Sequence, residues 1–453
     1  MSLFRPRLES ATRPSAIPAE AGIQRTSTIL NEAIMDSVSN VRDSIPEQHR
    51  AHFETLRQEI IDFAQAHNIP RESLSKPDAL REAANKLSIP DLERLATLLE
   101  RFEYLLVHHE PKKEDYTEAL EHAERLYHLK EQYDSQVELL AEVGILENGT
   151  ILGIDGNKYP IPTLEQIATR LFERREELST KRDQGFTKLL LVPFGMSLDT
   201  LVETFKQFLL DHKKSNPSFD LDTNKPLWTK WEEDYQGVDT GDSPKLVYYP
   251  QSFTEEGHQG RTKAQILKEQ AEGRWTLPPT AGSATGGTTS VGVAGESGTG
   301  TPGWTIHLLQ PSDPTDPHSL GFASIPQQGQ GKPQGEKISR PPLEAGQSSD
   351  EYLSILQKAQ DDPDLPYSHE SGMTPEDWII AFMTHLTETK KPLDDVWNHT
   401  NTEKTSYLAG TFFPSSVLVP CAFWNCLGRY AGFGRSVPHN RGWNVGARFS
   451  VMV

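Results

Sequence analysis

The last forty-nine residues, Thr405 to Val453, contain no Asp, Glu, Lys or Gln, in a chain of 453 residues that carries 64 acidic ones. At the chain-wide rate about seven acidic residues would fall there, so something restricts the alphabet of this tail. From Pro420 to Val451 it mixes aromatics, Arg, Asn, His and Gly with neither a helical nor a strand period. That is the composition of a recognition surface. Aromatic and Arg side chains give much contact energy for few rotors, while Gly, Ser and Asn adapt. A Gly- and Arg-rich β terminus with no recognition role has the same composition and stays open as the alternative.

Charge divides unevenly. The formal net charge is −19, and the four tail arginines, Arg429, Arg435, Arg441 and Arg448, leave −23 upstream. An acidic body argues against nucleic acid or an anionic membrane as a general partner. Only Cys421 and Cys426 occur, which excludes a disulfide framework and a four-cysteine metal site. The opening Met1 to Arg7 has no apolar signal core, and no stretch is long and apolar enough to span a bilayer. The expectation is a soluble, cytoplasmic protein with no implied cofactor.

Four zones follow along the chain. Residues 1–30 hold Pro and small residues without a period and are expected to be a disordered leader. Residues 31–147 read as a helical domain. Phe53, Leu56, Ile60 and Phe63 share a face, as do Leu92, Leu95, Leu98, Phe102 and Leu105, and then Tyr116, Leu120, Ala123, Leu126, Tyr133, Val137 and Leu140. The spacing mixes steps of three and four without strict heptads, which favours an intramolecular bundle over a coiled-coil stalk, although oligomerisation through this region stays open. Residues 148–250 form an expected α+β bridging unit. It holds a hairpin turning at Asp155-Gly156, a helix from Thr163, a strand over Lys188 to Val192, and a helix from Ser197 with Leu198, Leu201, Phe205, Phe208 and Leu209 inward. Residues 251–453 form the last domain, with a Gly/Ser/Thr-rich insertion at 276–303. It adds a strand at 303–310, a helix around 350–360, a helix capped by Thr374 with Pro375 at its first position, and a strand near 408–413.

A family resemblance enters on the tail. The ending Trp443-Asn444-Val445-Gly446-Ala447-Arg448-Phe449 resembles the closing strand of the formylglycine-generating-enzyme branch of the C-type-lectin fold. The block opened by Ala422-Phe423-Trp424 resembles the variable region of diversity-generating-retroelement target proteins, ligand-binding proteins built on that fold. In that family adenines of a template are miscopied, so Asn codons become a restricted residue set. Every residue from Cys421 to Ala447 belongs to that set except Trp424 and Trp443, which would be fixed scaffold. The resemblance implies an α+β chain: an N-terminal helical bundle, a small α+β bridge and a C-terminal C-type-lectin-like domain. It implies a non-enzymatic protein that binds a protein or glycan ligand through Phe423, Asn425, Leu427, Arg429, Tyr430, Phe433, Arg435, His439 and Asn440 on one exposed face. Trp424, Pro438, Gly446 and Arg448 would be frame, with the Trp and Arg inside the fold.

Three catalytic or metal readings compete. Cys421 and Cys426, five apart, resemble the copper-binding pair of the formylglycine-generating enzymes, and two thiolates could hold Cu(I). Both also fall in the mutable alphabet, and the rest of that enzyme is not recognisable. The Trp-Asn pairs at 397, 424 and 443 lack the following Asp of calcium lectins. His108, His109, His122 and His128 sit among Glu and Lys, as solvated helix residues do. Asp361-Asp362 and Asp394-Asp395 read as turn and cap residues. A structural phage or surface protein of the same fold is the remaining alternative.

Overall fold

A computed structural model describes residues 41–42, 45, 47–67, 69–70, 87, 89–109, 112, 116–229, 236–241, 245–272, 274–275, 301–314, 316, 318–360, 362, 364–394 and 404–453. The expected leader at 1–30 and nearly all of the Gly/Ser/Thr tract lie outside these residues. The described chain mixes α and β elements and divides into two compact units, one ending at Asp115 and the other beginning at Tyr116.

In the first unit, helix α1 (Glu47–Ala66) sets Phe53, Leu56, Ile60 and Phe63 against Leu95, Leu98, Phe102 and Leu105 of α2 (Ile89–His108). The expected stripes are thus the contact, sealed by Phe53 stacked on Phe102 at 5.2 Å. Pro90 falls in the first turn of α2, where its missing N–H costs nothing. The side chain of Leu92 lies outside the described set.

The second unit absorbs the helices expected to close the helical domain, so the boundary moves from 147 to Tyr116. Helices α3 (Thr117–Tyr127) and α4 (Leu129–Glu142) meet at His128, whose left-handed backbone, φ 49°, breaks what the periodicity joins. Next come the hairpin β1 (Thr150–Leu152) and β2 (Lys158–Pro160), α5 (Leu164–Glu173), α6 (Arg175–Asp183) and β3 (Lys188–Val192). The hairpin turns where Gly156 takes φ +79° and the Asp155 carboxylate accepts from the Asn157 backbone N–H. Thr163 caps α5 in a capping box with Gln166. The outer edge of β3 is closed by α4: Gln132 and Gln136, one turn apart, accept from the N–H groups of Leu189 and Leu191, each at 2.8 Å, and donate to the carbonyls of Thr187 and Leu189. Two side-chain amides therefore take the place of a neighbouring strand, and this is what ties α4 to the second unit.

The chain continues through α7 (Leu198–Ser215, capped by Ser197), β4 (Leu227–Thr229), β5 (Val247–Tyr248), α8 (Lys263–Ala271), β6 (Thr305–Leu309), α9 (Ser349–Gln360), β7 (Glu370–Gly372) and α10 (Pro375–Thr389). It ends in β8 (Lys404–Tyr407), β9 (Thr411–Phe412), β10 (Val419–Asn425), β11 (Tyr430–Ser436), β12 (Val445–Ala447) and β13 (Phe449–Met452). One sheet runs β3-β6-β13-β7 and is antiparallel; the other runs β12-β8-β10-β11-β4, with β12 and β4 parallel to their neighbours. Helix α10 is buried on every side from Pro375 to Leu386, as a helix enclosed by protein must be. Its Trp378 and Phe382 meet Phe205 of α7 on one side and the rings of β10 and β11 on another.

The bridging unit expected at 148–250 is thereby dissolved into this domain: β3 shares a sheet with the tail strand β13, and β4 pairs with the tail strand β11. No helix among the described residues is long and apolar enough to cross a membrane.

Candidate ligand-binding surface

Strand alternation sorts the tail residues. In the β10–β11 pair, Ala422 faces Phe433 and Trp424 faces Ala431, and these four side chains point into the core. Trp424 is 5% exposed, stacks on Phe219 at 5.4 Å and lies 6.0 Å from Phe382, which is the placement expected of frame. Phe433 corrects the expectation. It is 0% exposed and meets Trp378 edge-on at 5.3 Å, because its position in β11 shares the face of Trp424. It cannot touch a ligand.

The opposite face carries Cys421, Phe423 and Asn425 from β10 and Tyr430, Gly432 and Gly434 from β11. Toward the hairpin tip it becomes a site. The Asn425 side chain organises the turn, its Oδ1 accepting from the Gly428 N–H at 2.5 Å and its Nδ2 donating to the Tyr430 hydroxyl at 3.1 Å. Arg429 takes φ +57° and pairs with Asp220 at 3.5 Å, and Leu427 stands 67% exposed at the apex. Beyond β11, Trp228 of β4 joins Phe423 and Tyr430, with ring centroids 5.9 and 6.3 Å away. Five of the nine expected contact residues therefore gather at this tip, but Phe423 and Asn425 are each 8% exposed and so are not on the open face expected of them, which leaves Leu427, Arg429 and Tyr430; Trp228 is a further ring that no reading of the tail could supply.

Arg435, His439 and Asn440 do not join them. They lie at the other end of β11, whose seven residues span about 20 Å at the usual rise. His439 and Asn440 are exposed there. They share that end with Arg441, ion-paired to Glu351, and with Trp443, which is 57% exposed. Pro438 is buried, and its carbonyl accepts from the Ser349 hydroxyl at 2.9 Å and the Asp350 N–H at 3.1 Å. The expected single face is two separate ends.

The frame residues near the terminus are packed as anticipated. A Cβ on Gly446 would lie 2.5 Å from Ile325 Cγ2. Arg448 is buried, donating to the Ala323 carbonyl at 2.9 Å and to Asp394 at 2.8 Å. Burial alone would raise the Asp394 pKa, but Arg448 and Lys404 outweigh it and hold the carboxyl below its ordinary range. Lys404 is pushed down to about 8, chiefly by burial, with Asp394 opposing. Asp394, read from sequence as a turn residue, is thus the counter-ion of the frame arginine; the signal was only the general rule that a buried Arg needs a carboxylate. A cleft of about 210 Å³ borders this site, lined by Ile325, Lys332, Gln334, Arg340, Arg448 and Phe449. Both of its arginines already hold carboxylates, Glu370 for Arg340 and Asp394 for Arg448.

Reactive groups elsewhere are buried, apart from the half-buried Cys426. Cys421 and Cys426 form no disulfide; they fall on opposite faces, Cys421 in the cluster with Tyr407 and Phe412 and Cys426 against the main core. Four extended steps along β10 to Asn425 and one into the turn separate them by about 13 Å, too far for both sulfurs, on opposite faces, to reach one copper ion. Ser450, His307 and Asp377 lie in line, with 2.9 Å from Ser Oγ to His Nδ1 and 3.3 Å from His Nε2 to Asp Oδ1. All three are buried, and Asp377 is already engaged as the capping-box partner of Thr374. Lys263 is held between Asp239 at 2.5 Å and Glu376 at 2.8 Å, also without exposure. Burial alone would lower its pKa, but the two carboxylates hold it above the ordinary value. Among the described residues no group of three His, Cys, Asp or Glu could hold a metal ion.

Comparison with protein-family models, with curated proteins and with solved structures found no match.

Proposed function

We propose that this chain is a non-enzymatic binding protein whose C-terminal hairpin displays a diversifiable ligand-contact surface on a C-type-lectin-like domain, as in retroelement variable proteins. The observation that carries the reading is the division of the β10–β11 hairpin into two faces. Trp424, which lies outside the mutable alphabet, points inward with Ala422, Ala431 and Phe433. Phe423, Asn425, Leu427, Arg429 and Tyr430 gather at the tip. Variation is tolerable only where a changed side chain leaves the core untouched, since cores register a single methylene. Gly446 and Arg448 inside the fold, followed by a closing strand set between β6 and β7, also favour the lectin-like assignment. The placement of Cys421 and Cys426 in separate clusters counts against the copper-oxidoreductase alternative.

The test is the flanking DNA. The reading expects a near-identical copy of the codons for residues 421–448, differing at adenines, beside a reverse transcriptase gene. A genome with neither would refute the diversification.

A further inference from the structure

We propose that Trp228, Phe423 and Tyr430 form a cage for an alkylammonium cation, with Lys225 as its intramolecular occupant. This names the ligand chemistry of the hairpin-tip surface and rests on its being a binding surface.

The cage follows from one missing side chain. Gly432 lies between Phe423 on β10 and Trp228 on β4, paired in register with both. A Cβ there would lie 2.4 Å from the Phe423 ring, so the glycine is what lets the two rings approach across the strand. Tyr430, two residues earlier on the same face, is held by the Asn425 amide. The three centroid separations are 5.9, 6.3 and 6.5 Å, with interplanar angles of 50°, 48° and 64°. None of the pairs is stacked: the two Trp228 pairs are tilted and the Phe423–Tyr430 pair meets edge-on.

Aromatic faces are electron-rich and attract a cation within about 6 Å of the centroid. Lys225 meets that condition twice, its Nζ lying 5.7 Å from the Trp228 centroid and 5.4 Å from that of Tyr430. The side chain is exposed, and among the described residues no carboxylate lies within ion-pair distance of its ammonium. A lysine ammonium is strongly hydrated and pays rotamer entropy to stay. An N-methylated ammonium holds its water less tightly and gains more from the ring faces, so it displaces the lysine.

The test uses the full-length protein and follows the Trp228 indole NMR signal, assigned by its loss in Trp228→Leu, while tetramethylammonium chloride is added against a sodium chloride control. A saturable shift specific to tetramethylammonium is expected. Lys225→Gln should tighten the binding about three-fold, since it removes a competing contact of ordinary cation–π strength. No saturable shift in Lys225→Gln, or an equal shift with sodium, overturns the cage; equal affinity in the parent and Lys225→Gln overturns the occupant role. Choline and a trimethyllysine peptide then separate the sources: equal affinities indicate a free small cation, and a tighter peptide indicates a methylated protein. Failure of the cage and failure of the diversified surface are distinguishable, because the flanking template copy decides the latter alone.

Discussion

Replacing Trp424 by Ala probes the support on which the hairpin tip is built. The indole is 5% exposed, stacked on Phe219 at 5.4 Å and 6.0 Å from Phe382, so truncation removes one of the larger side chains from the interface between β10 and α10. Deleting a buried Trp costs about 3–5 kcal/mol, from lost transfer energy and from the cavity left where rigid neighbours cannot collapse. Against a total stability of about 5–15 kcal/mol this is a large fraction. At about 2–4 °C per kcal/mol for a domain of this size, the midpoint should fall on the order of 10 °C. Near-UV circular dichroism is the suitable probe because it follows the aromatic packing around Trp424, whereas a far-UV signal mixes in the helices of the first unit. Leu427→Ala is the control: at the exposed apex it should change stability by no more than about 0.5 kcal/mol. A Trp424→Ala midpoint within about 2 °C of the parent would refute the inward-frame reasoning.

Gln136→Leu should leave the Leu189 carbonyl and the Leu191 N–H unpaired in a buried setting, at about 1–3 kcal/mol each, and hydrogen exchange should accelerate first at Leu191. Gly446→Ala forces a Cβ against Ile325 and should destabilise by about 1–3 kcal/mol in urea titration, with no change in the surface at the tip. Lys404 has a folded pKa near 8 against 10.5 for the free side chain, so between these values the unfolded state binds more protons and stability rises with pH. The penalty is fully present below about pH 8 and is relieved toward 10.5. Lys404→Met should flatten the pH 8–10 slope relative to the parent in paired denaturation curves, and an unchanged slope would contradict the assignment.

What the sequence disclosed was local. Thr163, Ser197 and Thr374 announce helix starts because an N-cap is satisfied within three residues, and the apolar run at Lys188 to Val192 announces a strand buried on both sides. The same local chemistry at Thr262 and Gln265 marks the start of α8 and was equally readable. The facing of Phe433 was not, because β11 is buried on both sides from Ala431 to Gly434 and its Ala-Gly-Phe-Gly run has no polar alternation to separate them. The domain boundary failed for a related reason. The stripe on α4 is a helix face whatever it packs against, and only Gln132 and Gln136, polar residues set within that stripe, hint that it covers a sheet edge. Trp228 and Asp394 reach the site through parallel pairing and a buried ion pair, across separations that carry no local pattern.

The central claim is that the hairpin tip tolerates replacement while its underside does not. Saturating substitution at Leu427, Arg429 and Tyr430, and separately at Ala422, Trp424 and Phe433, with protease resistance of each variant as the readout, measures this directly. The account predicts that most replacements at the first three positions keep parental resistance and nearly all at the last three lose it. Equal tolerance in the two sets, or greater tolerance on the underside, would contradict it.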